Sequence, residues 1–180
     1  MIEKEVKIIL ERPSIKELKE LLDKNMIFLN AEEQEDIYFN FVYRNFKITD
    51  ETVRIRKTKG KIELTYKGPK LSSDLKSREE ITVIVKDINN MIEFLQKIGF
   101  YPVITIRKTR LNYLDDSFII SLDTIDNLGE FIEIEAKIEL EDYKIKNYVN
   151  NFIVKYNIKG KLTTKSYLEM FLENYEKNTQ

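Results

Sequence analysis

Ile2-Glu3-Lys4-Glu5-Val6-Lys7-Ile8-Ile9-Leu10 opens the chain on a two-residue alternation. Successive side chains of an extended strand point to opposite faces. Glu3, Glu5 and Lys7 therefore share one face, and Val6, Ile8 and Leu10 share the other. An ordinary half-exposed strand gives such a polar face to water. Two carboxylates beside a cation also suit a divalent metal held against a phosphate.

The same alternation returns along the chain. Arg54 and Arg56 share a face; so do Glu63, Thr65 and Lys67, and then Arg78, Glu80 and Thr82. Lys108, Arg110 and Asn112 follow, then Ser121 and Asp123, then Glu133, Glu135 and Lys137. The opposite faces are apolar, as in Val53 and Ile55, in Ile62, Leu64 and Tyr66, and in Ile132, Ile134 and Ala136. Hardly any segment is apolar on both faces, as a buried parallel strand would be. These strands, roughly seven or eight of them, predict an α+β fold: an antiparallel sheet curled into a β-barrel with helices packed outside. The polar faces of such a barrel line a tunnel, where clustered charges suit a polyanion with a metal better than they suit one another. Arg and Lys there can clasp successive phosphoryl groups, and carboxylates can hold the metal.

Local signals place the elements. Ser14 caps a helix over Ile15 to about Lys24, and strand-like residues run from Glu35 to Val42. Thr52–Lys57 and Ile62–Lys67 read as a hairpin turning near Lys59-Gly60. Lys70 to Ser77 reads as a loop, and Arg78–Val85 as a strand. Asp87 caps a helix through Gln96, which Gly99 closes. Strands follow over Val103–Leu114, Phe118–Asp123 and Glu130–Ile138, then helices over Asp142 to Tyr156 and Thr163 to Tyr175. Tyr38, Phe39, Phe118 and Phe131 read as core.

The bulk numbers bound the function. A chain of 180 residues is most simply one domain, residues 1–180, with a substantial core. A net charge of −1 argues against a nucleic-acid partner. No apolar run reaches the ~20 residues of a membrane helix, no secretory segment opens the chain, and the cytoplasm is the expected location. Cysteine and histidine are both absent, so metal binding must use oxygen donors, which points to Mg²⁺ or Mn²⁺, with Ca²⁺ a further oxygen-loving ion. Nothing in the sequence decides between a monomer and a homodimer.

The ordered series of motifs resembles the CYTH superfamily, the triphosphate tunnel metalloenzymes. Glu3-Lys4-Glu5-Val6-Lys7 fits its N-terminal ExExK signature. Gln34-Glu35-Asp36-Ile37-Tyr38-Phe39 resembles the segment after its first helix. Val53-Arg54-Ile55-Arg56 and Leu64-Thr65-Tyr66-Lys67-Gly68-Pro69 resemble its "LRIR" and "LTYKGP" strands. Ser77-Arg78-Glu79-Glu80-Ile81 resembles its "TREE", and Lys108-Thr109-Arg110 its KxR element. Ser121-Leu122-Asp123 and Leu128-Gly129-Glu130-Phe131-Ile132-Glu133-Ile134-Glu135 resemble its "LGxFxEIE" region, and Lys165-Ser166-Tyr167-Leu168 its closing element. The likeness is strongest to the class IV adenylyl cyclase branch.

That resemblance implies an antiparallel, eight-stranded closed β-barrel that forms a triphosphate-binding tunnel. Glu3, Glu5, Asp123, Glu133 and Glu135 are its implied metal ligands, with Glu80 holding a metal or orienting a basic neighbour. Lys7, Arg54, Arg56, Lys67, Arg110 and Lys165 are its implied triphosphate ligands, joined by Lys108 and Arg78. The helix carrying Lys165 is expected to act as a lid. With histidine absent, the general base falls to Glu5, to Glu133 or to hydroxide on the metal. The favoured expectation is a metal-dependent triphosphatase acting on tripolyphosphate or an organic triphosphate such as thiamine triphosphate or ATP. The rivals are a class IV adenylyl cyclase, making cyclic AMP and pyrophosphate, and a non-catalytic polyphosphate- or nucleotide-binding module.

Overall fold

The computed structural model describes residues 2–71 and 76–178, leaving out the side chains of residues 2, 3, 76, 77 and 176–178. Its strands are β1 (Ile2–Arg12), β2 (Ile27–Phe41), β3 (Thr52–Lys57), β4 (Ile62–Lys67), β5 (Lys76–Val85), β6 (Phe100–Asp115), β7 (Phe118–Ile125), β8 (Gly129–Ala136) and β9 (Lys159–Thr163). Its helices are α1 (Ile15–Leu22), α2 (Phe46–Thr49), α3 (Ile88–Lys97), α4 (Asp142–Lys155) and α5 (Tyr167–Asn178).

The strands form one antiparallel sheet in the order β5-β4-β3-β2-β6-β7-β8-β1-β9. β5 also pairs with β1, over Ile2–Glu5 against Lys76–Glu79, so the sheet curls until its two ends meet. This bears out the expected α+β class and corrects two details. The sheet has nine strands rather than eight, and its closure is partial. Beyond Glu5, the same edge of β1 is taken by β9, which pairs from Lys7 to Arg12. Gly160 of β9 permits that approach, because a Cβ there would lie 2.2 Å from the carbonyl oxygen of Ile9.

The apolar faces turn outward beneath the helices. Ser14 and Glu17 form a capping box at the start of α1. Ile15, Leu18 and Leu22 of α1, with Ile145, Val149 and Phe152 of α4, cover Ile8, Ile120, Leu122, Ile132 and Ile134 of the sheet. Those five sheet residues are almost fully buried, each burial stabilising by about 1.5–3 kcal/mol. A second cluster packs Phe46 and Leu95, from α2 and α3, over Phe39, Val53 and Ile55.

α5 departs from this plan. Its Tyr167 and Met170 pack with Tyr38, Ile106, Ile125 and Phe131. Ile106 shares a strand face with Lys108 and Arg110, and Phe131 shares one with Glu133 and Glu135, so α5 plugs the inner side of the curled sheet. Ser166 and Glu169 cap it: the Ser166 amide donates to Glu169 Oε2 at 2.6 Å and the Glu169 amide to Ser166 Oγ at 3.2 Å.

Candidate functional site

Parity decides which side chains face inward. β3 and β4 pair Arg54 with Thr65 and Arg56 with Glu63. β6 and β7 pair Arg110 with Asp123, while β1 and β8 pair Lys7 with Glu133 and Glu5 with Glu135. Together these faces enclose a cavity of about 230 Å³. Its described lining includes the cations Lys7, Arg54, Arg56, Lys67, Arg78, Lys108 and Arg110, and the carboxylates Glu5, Glu63, Glu80, Glu133 and Glu135. Thr52, Thr65, Thr82, Tyr38, Ser166 and Tyr167 complete it.

Two further carboxylates stand behind this wall. Asp36 accepts from Arg56 Nε at 2.6 Å and Arg56 Nη2 at 2.7 Å, and lies 3.7 Å from Arg54. Burial opposes its ionisation, yet the two guanidinium groups hold its carboxyl well below the usual range. Asp123 has no exposed surface. It accepts from Arg110 Nε at 2.6 Å, from Lys108 at 3.3 Å and from the Tyr167 hydroxyl at 2.7 Å. Burial works against its charge too, and Arg110 and Lys108 overcome it. Seven lining cations thus meet five lining carboxylates, two behind them and Asp50 beside Arg78, so the described wall is close to charge balance. A ligand that joins an anion to a divalent cation preserves that balance.

Lys7 pairs with two of these carboxylates. Its ammonium is 2.9 Å from Glu133 and 3.8 Å from Glu5. Arg110 also pairs with Glu133, and Lys67 with Glu80. Arg78 donates to Asp50 Oδ1 at 2.8 Å and to the carbonyls of Asp50 and Gly68 at 2.7 and 2.9 Å. Burial, helped by the Arg110 charge, pulls Lys108 down to about 7 against the attraction of Asp123.

The structure brings together eleven of the expected residues: Glu5, Lys7, Arg54, Arg56, Lys67, Arg78, Glu80, Lys108, Arg110, Glu133 and Glu135. Three stand apart. Asp123 lies one layer back, its oxygens occupied by Arg110, Lys108 and Tyr167. The Lys165 ammonium faces outward and pairs with Glu173 at 2.7 Å, and only its carbonyl turns toward Lys7, at 3.4 Å. The Glu3 side chain lies outside the described residues, although its backbone pairs with Arg78.

The sequence reading missed Asp36, Tyr38 and Tyr167 as site residues. Asp36 and Tyr38 alternate with Gln34 on one strand face, a signal that was present but was outweighed by the apolar neighbours Ile37 and Phe39. Tyr167 stands in the segment that resembles the closing element, but only the placement of α5 sends its ring inward.

The donor chemistry fits a hard divalent cation. Glu5, Glu133 and Glu135 offer oxygen only, and two of them are direct register partners. Among the described residues no three carboxylates already form a coordination cluster.

Comparison with known proteins agrees with this geometry. The family model described as CYTH domain matches residues 1–167. A protein of Methanocaldococcus jannaschii, provisionally named adenylate cyclase, is 38% identical over 175 residues, covering 94% of this chain and 98% of its own. A Pyrococcus horikoshii structure superposes with a TM-score of 0.83 at 33% identity, covering 96% of this chain and 99% of its own. A Hippeastrum structure, provisionally an adenylyl cyclase and described as having a dominant triphosphatase activity, gives a TM-score of 0.78 at 20% identity, with 96% of each chain covered. At that identity the likeness is one of fold.

Proposed function

The chain belongs to the CYTH family, and from that premise we propose that it is a divalent-metal-dependent triphosphatase acting on a linear triphosphate. One observation carries the reading: cations from β1, β3, β4 and β6 and carboxylates from β1 and β8 share one cavity of about 230 Å³. Arg54, Arg56, Lys67 and Arg110 bind the phosphoryl oxygens, with Lys7, Lys108 and Arg78 beside them. Asp36 and Asp123 orient Arg56 and Arg110, and Glu80 orients Lys67. Glu5, Glu133 and Glu135 would hold Mg²⁺ or Mn²⁺, with Glu3 of β1 a further candidate ligand. The bound ion supplies charge neutralisation at the phosphoryl oxygens. In this reading Glu5 or Glu133 takes a proton from the attacking water as its oxygen bonds to the terminal phosphorus and the phosphoanhydride bond breaks.

The cyclase reading rests on the same cavity and on the provisional name of the M. jannaschii relative. There the ribose 3′-hydroxyl of ATP attacks the α-phosphorus and pyrophosphate leaves. Incubation with tripolyphosphate, and separately with ATP, in Mg²⁺ or Mn²⁺ decides between them. Released phosphate supports hydrolysis, cyclic AMP with pyrophosphate supports cyclisation, and binding without turnover leaves a binding module. Glu5→Gln should abolish turnover while circular dichroism stays native; full activity in that variant would remove Glu5 from the mechanism. Among the described residues no helix is long and apolar enough to cross a membrane.

A further inference from the structure

We propose that Tyr167 is a positioning residue whose ring aims Lys7 and Lys108 into the cavity, making anion binding depend on the docking of α5. The inference rests on the triphosphate reading of the cavity. Tyr167 is the first residue of α5 and is 5% exposed. The Lys7 ammonium lies 3.8 Å from its ring centroid and the Lys108 ammonium 4.8 Å from it. These lysines come from β1 and β6, which are separated in the sheet by β7 and β8. One aromatic ring therefore gathers cations from two distant strands. The ring is itself fixed, by the hydroxyl's bond to Asp123 at 2.7 Å and by an edge contact with Phe131 at 5.0 Å between centroids. Burial and the charges of Glu133 and Asp123 keep that hydroxyl protonated.

The chemistry distinguishes a ring from a carboxylate as a partner. A carboxylate neutralises an ammonium and competes with phosphate for its N–H donors. An aromatic face attracts the charge through its quadrupole and leaves most donors directed elsewhere. Lys7 and Lys108 do have acidic neighbours in Glu133 and Asp123. The ring adds attraction from the plugged side without adding a negative charge to the cavity.

Metal-free titration with tripolyphosphate tests this apart from turnover. Tyr167→Phe keeps the ring, still held by its edge contact with Phe131, and loses the bond to Asp123, so it should keep clearly more affinity than Tyr167→Leu. Tyr167→Leu keeps apolar bulk and loses the ring, and should bind at least tenfold more weakly at a melting temperature close to that of Tyr167→Phe. Should Tyr167→Leu fail to fold, a series of fluorinated phenylalanines at position 167 keeps the shape and drains the quadrupole stepwise, and affinity should fall in step. Equal losses in the Phe and Leu variants, or an affinity indifferent to fluorination, would overturn the inference alone. No tripolyphosphate binding by the unaltered protein, either metal-free or in Mg²⁺, would overturn the functional reading and this inference with it; binding in Mg²⁺ alone moves the same comparison of variants into Mg²⁺.

Discussion

Glu5 of β1 stands directly opposite Glu135 of β8 in the sheet register, and both line the cavity. Facing like charges on adjacent strands repel one another, and the Lys7 ammonium, 3.8 Å from Glu5, offsets part of that repulsion. Removing one charge should relieve about 0.2–1 kcal/mol. Glu135→Gln is therefore expected to melt up to about 4 °C higher than the unaltered protein in a chelator. Mg²⁺ or Mn²⁺ should raise the melting temperature of the unaltered protein and have little effect on Glu135→Gln. Thermal melts with and without metal check both outcomes; equal stabilisation of the two proteins would detach Glu135 from the metal site.

Asp36 shows the opposite economy, one carboxylate shared by two guanidinium groups in a buried setting. Removing it leaves charges without compensation, a change that commonly costs about 3–5 kcal/mol when a buried pair is broken. Asp36→Ala is expected to lose stability on that scale in urea unfolding. Acid should act through the same group. The folded carboxyl is more acidic than the unfolded one, so its contribution is complete above about pH 4 and drains away as pH falls below that. Asp36→Asn should flatten the acid limb of the stability profile.

Lys108 titrates on the other side of neutrality. Its folded pKa of about 7 lies below the ordinary lysine value, so the folded state disfavours its charge. Stability contributed by this group rises with pH from about 7 toward 10. An entering polyanion reverses the preference and recharges the amine. Tripolyphosphate binding at pH 8 should take up close to one proton, and at pH 5.5 almost none. Calorimetry in buffers of different ionisation enthalpy measures that uptake, and Lys108→Met should abolish it.

Much of this was legible in the sequence, because an alternating strand writes its two faces into consecutive residues. The hairpin Thr52–Lys57 with Ile62–Lys67 appears at the residues expected, and eleven candidate residues meet in one cavity. What escaped the reading depends on distant contacts. β2 was expected from Glu35 and starts at Ile27, because its first residues gain order by pairing with β6 rather than by burial. β9 carries Lys159, Gly160 and Lys161, a poor local strand, and forms only because β1 offers an edge and Gly160 fits beneath Ile9. The family resemblance implied Asp123 as a metal ligand and strand parity put it on the polar face, but neither shows that Arg110, Lys108 and Tyr167 engage its oxygens.

The contrast between Arg56 and Lys165 tests the inward and outward assignments together. Arg56 lines the cavity and is held by both oxygens of Asp36. Lys165 is half exposed and spends its charge on Glu173, itself exposed, in a pair that surface screening makes weak. Losing a charged hydrogen-bonding partner of a bound anion costs about 1.5–3 kcal/mol. Arg56→Ala should therefore weaken tripolyphosphate binding about ten- to hundredfold. Arg56→Lys keeps the charge but lacks the planar fork, and should fall between Arg56→Ala and the unaltered protein. Lys165→Ala should change affinity less than threefold. Equilibrium titration of the four proteins checks the order, and a loss in Lys165→Ala as large as that in Arg56→Ala would mean that the Lys165 ammonium swings inward when the anion binds.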